Sequence, residues 1–163
     1  MTRVSRIAQV DTVKIRSATS ADIAALMELE RTSPTAAHWT EQQYRELFHG
    51  GSERLVIVAE FEASSGDGTL AGFLVARRIA PDWELENIVV AASARRNGLG
   101  TRLLQTLFAR ASETNTKSVF LEVRESNTAA RALYERSGFR QTGNRKSYYT
   151  NPLEHAILYS WIG

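Results

Sequence analysis

The chain has 163 residues, 43% of them hydrophobic and 23% charged, with 20 basic against 18 acidic side chains and no cysteine. That length suits one domain around one core. The balanced charge argues against a nucleic-acid partner. The missing thiols exclude disulfides, thiolate nucleophiles and thiolate zinc sites, and no apolar run is long enough to span a bilayer.

Met1 to Thr12 carry no apolar h-region and read as a frayed tail, 1–12, ahead of a single domain over 13–163. Without an export signal, the expected location is cytoplasmic. Val13-Lys14-Ile15-Arg16 alternates apolar and charged, as a strand does. Thr19 or Ser20 then caps a helix carrying Ile23, Leu26, Met27 and Leu29, which Ser33-Pro34 stops. Trp39-Thr40-Glu41 opens a shorter helix, with Tyr44, Leu47 and Phe48 on one face and Gly50-Gly51 at its end. Arg54 to Phe61 is a strand with an apolar centre, and Ser64 to Gly68 is a hairpin loop by its turn residues. Leu70 to Ile79 and Trp83 to Val90 are the next strands, meeting around Pro81-Asp82.

A helix follows whose stripe is Leu99, Leu103, Leu104, Leu107, Phe108 and Ala111. Ser118 to Arg124 is a strand, and Asn127 to Ser137 a helix ending at Gly138. Phe139 to Thr142 and His155 to Trp161 are the last strands, with a polar loop over Asn144 to Glu154 between them. A three-strand meander leading into a β-α-β unit implies an α/β fold with a mixed sheet and helices on both faces.

The most informative stretch joins the fourth strand to its helix, Ile88-Val89-Val90 through Arg95-Arg96-Asn97-Gly98-Leu99-Gly100-Thr101. Gly98 and Gly100 remove side chains where backbone must approach a ligand or take unusual dihedrals. The helix start aims unpaired N–H groups and its positive dipole end at the turn. Arg95 and Arg96 add fixed positive charge, so the turn is an anion cradle suited to a pyrophosphate. The competing reading is a plain connection with solvated arginines. His38, His49 and His155 have no metal-site spacing, so no metal is expected.

Asn127-Thr128-Ala129-Ala130-Arg131-Ala132-Leu133-Tyr134-Glu135-Arg136-Ser137-Gly138-Phe139 supplies a second motif, N-x-x-A-x-x-L-Y-E-R-x-G-F. With Arg95-x-x-Gly98-x-Gly100 at this separation, the chain resembles the GCN5-related N-acetyltransferase (GNAT) superfamily over nearly all its length after Thr12. Leu121-Glu122-Val123-Arg124-Glu125-Ser126-Asn127 and Arg145-Lys146-Ser147-Tyr148-Tyr149 look like the bacterial ribosomal-protein-alanine N-acetyltransferases. His38 departs from that pattern, and Trp83 to Ile88 match it loosely.

The resemblance implies the acyl-CoA N-acyltransferase fold, about seven strands in a splayed mixed sheet, with acetyl-CoA as the acetyl source. Backbone amides of Arg96, Asn97, Gly98, Leu99, Gly100 and Thr101, with the Arg95 and Arg96 side chains, then hold the pyrophosphate. Ile88, Val89 and Val90 present backbone to the pantetheine arm, and an N–H near Val89 or Val90 is the oxyanion donor. Asn127 serves the arm, the helix cap, or both, and Ala130 and Tyr134 are further cofactor-side candidates.

Glu122, flanked by apolar neighbours in mid-strand, is the candidate base, directly or through water; a surface ion pair with Arg124 or a lysine is the alternative. Tyr134 is the candidate acid for the leaving thiolate; a core tyrosine is the alternative. Trp39, Glu84, Glu86, Tyr148 and Tyr149 are weaker acceptor-side candidates.

The implied acceptor is a protein N-terminus, an alanine of a ribosomal protein in particular. An α-amine, with a pKa of about 8 against about 10.4 for lysine, needs only modest deprotonation. Rival readings are a small-molecule amine or lysine acceptor, and a non-catalytic acyl-CoA-binding module. No nucleic acid and no membrane partner are expected, and oligomeric state is open between monomer and homodimer.

Overall fold

The computed structural model describes residues 12–62 and 68–163. The N-terminal tail up to residue 11 and most of the expected loop at Ser64 to Gly68 lie outside them. Seven strands form one sheet: β1 (Val13–Ser17), β2 (Arg54–Phe61), β3 (Leu70–Ile79), β4 (Asp82–Val90), β5 (Ser118–Arg124), β6 (Arg140–Thr150) and β7 (Leu153–Ile162). Four α-helices accompany them: α1 (Ile23–Arg31), α2 (Glu41–Glu46), α3 (Leu99–Glu113) and α4 (Thr128–Arg136). Spatial order is β1-β2-β3-β4-β5-β7-β6, antiparallel throughout except for β4 beside β5.

Each face of the sheet has its own apolar layer. Leu103, Leu104, Leu107 and Ala111 of α3 and Tyr134 of α4 bury against Ile57, Leu74, Leu85, Leu121 and Ile157. On the opposite face Leu26 of α1 and Tyr44 of α2 bury against Val58, Phe73, Val75 and Val89. Coverage on both sides explains the uninterrupted apolar run in β2, because a strand buried twice gains nothing from alternation. Phe108 is only partly buried; its ring stacks on Trp161 with centroids 4.2 Å apart, at the rim of the α3 layer.

Helix starts follow local chemistry. At α2 the Thr40 N–H donates to Gln43 Oε1 at 2.8 Å, and Gln43 N–H donates back to Thr40 Oγ1 at 3.2 Å. At α4 the Asn127 Oδ1 accepts from the Ala130 N–H at 3.2 Å. Gly138, at φ +97, closes that helix in the left-handed region.

The polar loop expected over Asn144 to Glu154 is instead a long hairpin of β6 and β7. β6 is an edge strand, mostly exposed, so its sequence carries no apolar alternation to announce it. A register shift between Arg145 and Tyr149, with Ser147 at φ +52, bulges it. Tyr148 and Tyr149 therefore lie in a strand, where a loop was expected.

Two features of β4 position the site. First, the β3 register slips there: Val75 faces Asn87 while Ala76 faces Leu85, so Glu86 is an extra residue. The slip exchanges faces. Trp83 and Leu85 point into the α3 layer, whereas Val89 joins the α1/α2 layer and Asn87 bonds α1. Second, β4 pairs with β5 only at Trp83–Val119 and Glu84–Phe120, although β3 and β7 hold the outer edges along their lengths. Beyond those two pairs the sheet splits into a V, as the resemblance implies.

Candidate active site

The V opens toward two helix starts, because α3 follows β4 and α4 follows β5. α3 leans onto α4 at Gly100: a Cβ there would lie 2.8 Å from Leu133 Cδ2. Ahead of it, Arg96 at φ +66 and Gly98 at φ +72 are both left-handed, a backbone that turns successive N–H groups to one side. The first hydrogen bond into α3 runs from the Arg102 N–H to the Gly98 carbonyl. The N–H groups of Leu99, Gly100 and Thr101 thus precede the helix ladder. Arg95, Arg96, Asn97 and Gly98 are exposed, and Arg95 Nε donates to the Val90 carbonyl at 3.2 Å. Helix start, turned backbone and two guanidinium side chains together form a cradle for an anion.

The walls of the V carry the remaining candidates. On β4, Ile88 and Val90 pack toward the α3 layer and Val89 toward the other. β5 alternates as expected, with Val119, Leu121 and Val123 buried and Glu122 on the opposite, open face. Glu122 Oε1 is 3.0 Å from Arg145 Nε. A surface ion pair was the alternative for Glu122, and the partner proves to be Arg145 of the edge strand.

Tyr134 is 6% exposed, its ring set against Phe139 and Tyr159 with centroids 5.6 and 6.1 Å away. Burial raises its phenol pKa, and Tyr149 adds to the rise. Burial also raises the Tyr149 phenol, with the negative charge of Glu122 next in weight.

The acceptor-side candidates divide. Tyr149 lies under the Arg124 guanidinium, 4.2 Å from its ring centroid, and Tyr148 under Arg145 at 5.3 Å. Arg124 also pairs with Glu154 at 3.3 Å. Glu84 pairs with Arg77 at 2.7 Å, and Glu86 with Arg54 at 2.6 Å. Burial raises the Glu86 carboxyl pKa, with Arg54 and then Arg77 opposing the rise. Trp39 stands apart from this row, edge-on to Tyr44 at 5.6 Å, with its backbone N–H on Glu30.

Arg54, Arg77, Arg124, Arg145 and Glu154 complete the open face, and reading along the chain singled out none of them as a site residue. The hints are the basic cluster at Arg140 to Lys146 and the places of Arg124 and Arg145 within the two quoted motifs. Cross-strand pairs join residues far apart in sequence, so they become visible only once the register is known. Among the described residues there is no cluster able to hold a metal ion, and no helix is long and apolar enough to cross a membrane.

Known proteins share this architecture. A model of the acetyltransferase (GNAT) family matches residues 23–139. The ribosomal protein bS18-alanine N-acetyltransferase of Salmonella typhimurium is 31% identical over 146 residues, 90% of this chain and 92% of the relative. The crystal structure of the ribosomal-protein-S18-alanine N-acetyltransferase from Escherichia coli has a TM-score of 0.77 at 29% identity, over 93% of this chain and 94% of that one. Arabidopsis thaliana NAA60 in complex with acetyl-CoA, at 18% identity and covering 93% and 100%, shares the fold with a TM-score of 0.82.

Proposed function

The chain belongs to the acetyltransferase (GNAT) family and is an N-acetyltransferase; from that premise we propose that its acceptor is the N-terminal α-amino group of a protein, an alanine of a ribosomal protein in particular. The observation that carries the mechanism is the split between β4 and β5, with an anion cradle at its mouth, Glu122 on the β5 wall and Tyr134 in the helix that follows β5. The acetyl source is acetyl-CoA, which supplies an acetyl group activated as a thioester. The cradle fits its diphosphate and the unpaired β4 edge fits an amide-rich arm.

The N–H groups of Arg96 to Thr101, with Arg95 and Arg96, hold the diphosphate. The backbone of Ile88 to Val90 pairs with the arm, and a Val89 or Val90 N–H supports developing negative charge on the carbonyl oxygen. Asn127, whose Oδ1 caps α4 through Ala130, retains its amide N–H groups for the arm. Glu122 takes the proton from the attacking amine, directly or through one water. Tyr134 gives its hydroxyl proton to the departing thiolate, and its raised pKa keeps that proton in place at neutral pH. Trp39, Tyr148 and Tyr149 line the acceptor side.

A polyamine acceptor calls for unpaired negative charge. The carboxylates of the open face are instead matched to guanidinium groups: Glu84 to Arg77, Glu86 to Arg54, Glu122 to Arg145 and Glu154 to Arg124. This pairing favours a peptide over a polycation.

Free-thiol release with mass spectrometry on Ala- and Ser-initiated peptides, an N-terminally blocked lysine peptide and spermidine tests the reading. Transfer to the Ala-initiated peptide at the highest kcat/KM is expected. Transfer confined to spermidine or blocked lysine would overturn the acceptor, and acetyl-CoA binding with no transfer to any amine would overturn the catalytic roles.

A further inference from the structure

Glu30, near the C-terminal end of α1, is 3% exposed and has no ion-pair partner among the described residues. A buried carboxylate without a cation is costly unless hydrogen bonds replace its water. Two do: the Trp39 N–H donates to Oε2 at 3.0 Å, and Asn87 Nδ2 donates to Oε1 at 3.2 Å. The buried hydroxyl of Tyr44 feels the same charge. Glu30, Ser33 and Asn87 are the buried polar side chains of the described residues outside the aromatic core, and two of the three bond each other.

The places these bonds join matter. Trp39 lies in the connection that leads into α2, which the functional reading puts on the acceptor side. Asn87 is the first residue past the Glu86 bulge, which turns its side chain toward α1, and it immediately precedes the unpaired edge Ile88 to Val90. One carboxylate therefore ties the acceptor-side connection to the strand proposed to hold the acetyl donor.

We infer that Glu30 is a positioning residue for acetyl transfer, setting the Trp39 segment against β4 at Asn87 and so fixing where the acceptor amine meets the acetyl group. This rests on the acetyltransferase reading above. The chemistry of the bonds defines a swap. In Glu30→Gln one oxygen becomes an NH2 group; with the remaining oxygen on the Trp39 N–H, that NH2 meets the Asn87 Nδ2 donor against donor as long as the Asn87 amide keeps its orientation. Adding Asn87→Asp supplies an acceptor for that NH2 and restores both bonds with the same shapes and one carboxylate.

The test is steady-state kinetics with an Ala-initiated peptide, alongside calorimetric binding of acetyl-CoA and thermal melting. Glu30→Gln should lower kcat/KM for the peptide by about tenfold or more, mainly through KM, with the acetyl-CoA Kd within about twofold of wild type. Glu30→Gln/Asn87→Asp should recover most of the loss. Wild-type kinetics in Glu30→Gln would overturn the inference. So would a loss that the double variant, melting like wild type, does not recover. If Glu30→Gln does not fold, Asn87→Ala carries the same expected split between peptide KM and acetyl-CoA Kd, and equal weakening of both overturns it. A wild-type enzyme that acetylates no peptide would instead overturn the functional reading, before any variant is compared.

Discussion

The burial of Tyr134 suits the role of acid proposed for it. Its ring is packed as a core tyrosine would be, and the same burial favours the neutral phenol. Tyr134→Phe keeps the ring and removes the proton, so kcat should fall by about 10²-fold or more while the acetyl-CoA Kd measured by calorimetry stays put. Unchanged kcat would reassign the residue to packing alone. Glu122 faces the open side and answers a different need. With Glu122→Gln the amine must lose its proton to solvent, which becomes easy only above its own pKa of about 8. The activity deficit in a pH–rate profile should therefore be deepest near pH 6–7 and shrink above about pH 8. A deficit independent of pH would remove Glu122 from proton transfer. Both candidates stand out in the sequence, Glu122 as a charge in an apolar strand and Tyr134 through its motif. The pairing of Glu122 with Arg145 does not, because β7 lies between their two strands in the sheet.

β4 decides the geometry at the scale of elements. Its bulge at Glu86 changes which residues face α3, and its early parting from β5 makes the V. Gly72 holds the opposing β3 strand close: a Cβ there would lie 2.7 Å from the Val89 carbonyl oxygen, a backbone atom that cannot swing aside. Gly72→Ala should destabilise the protein by about 1–3 kcal/mol in chemical denaturation, and acetyl-CoA binding should weaken with it as the Val89 edge shifts. A neutral effect on both would show that the edge tolerates movement. The strand spans of β2 and β5 and the helix starts at Thr40 and Asn127 were legible, because each rests on local pattern or capping chemistry. β6 was not. Its residues face water, and its bulge depends on the Ser147 N–H donating to His155 Nδ1 at 2.8 Å, a contact made across the hairpin.

For the whole molecule, element order and the two quoted motifs carried the fold from sequence to family. What the sequence withheld is the arrangement of charge across the sheet, from the matched carboxylates and guanidinium groups of the open face to the Glu30–Asn87 bond beneath it. At the far edge of the sheet the same kind of pairing supports stability. Arg16 reaches Asp22 at 2.9 Å and Glu60 at 3.0 Å, and its hydrogen bond holds the Asp22 carboxyl below the ordinary range. A native pKa below the unfolded one gives stability that is full above about pH 4 and is lost as pH falls through the native value. Asp22→Asn should therefore lower Tm at pH 7, and the gap from wild type should close as acid protonates Asp22. A gap that stays constant on acidification would contradict the pairing.

The central claim is that the split between β4 and β5 passes acetyl to the α-amine of a polypeptide. One peptide with a free N-terminal alanine and an internal lysine sets both amines before the wild-type enzyme at equal concentration, and fragment-ion mass spectrometry locates the acetyl group. The account predicts acetyl on the N-terminal alanine, with the lysine unmodified at early turnover. Acetyl on the lysine first would contradict it.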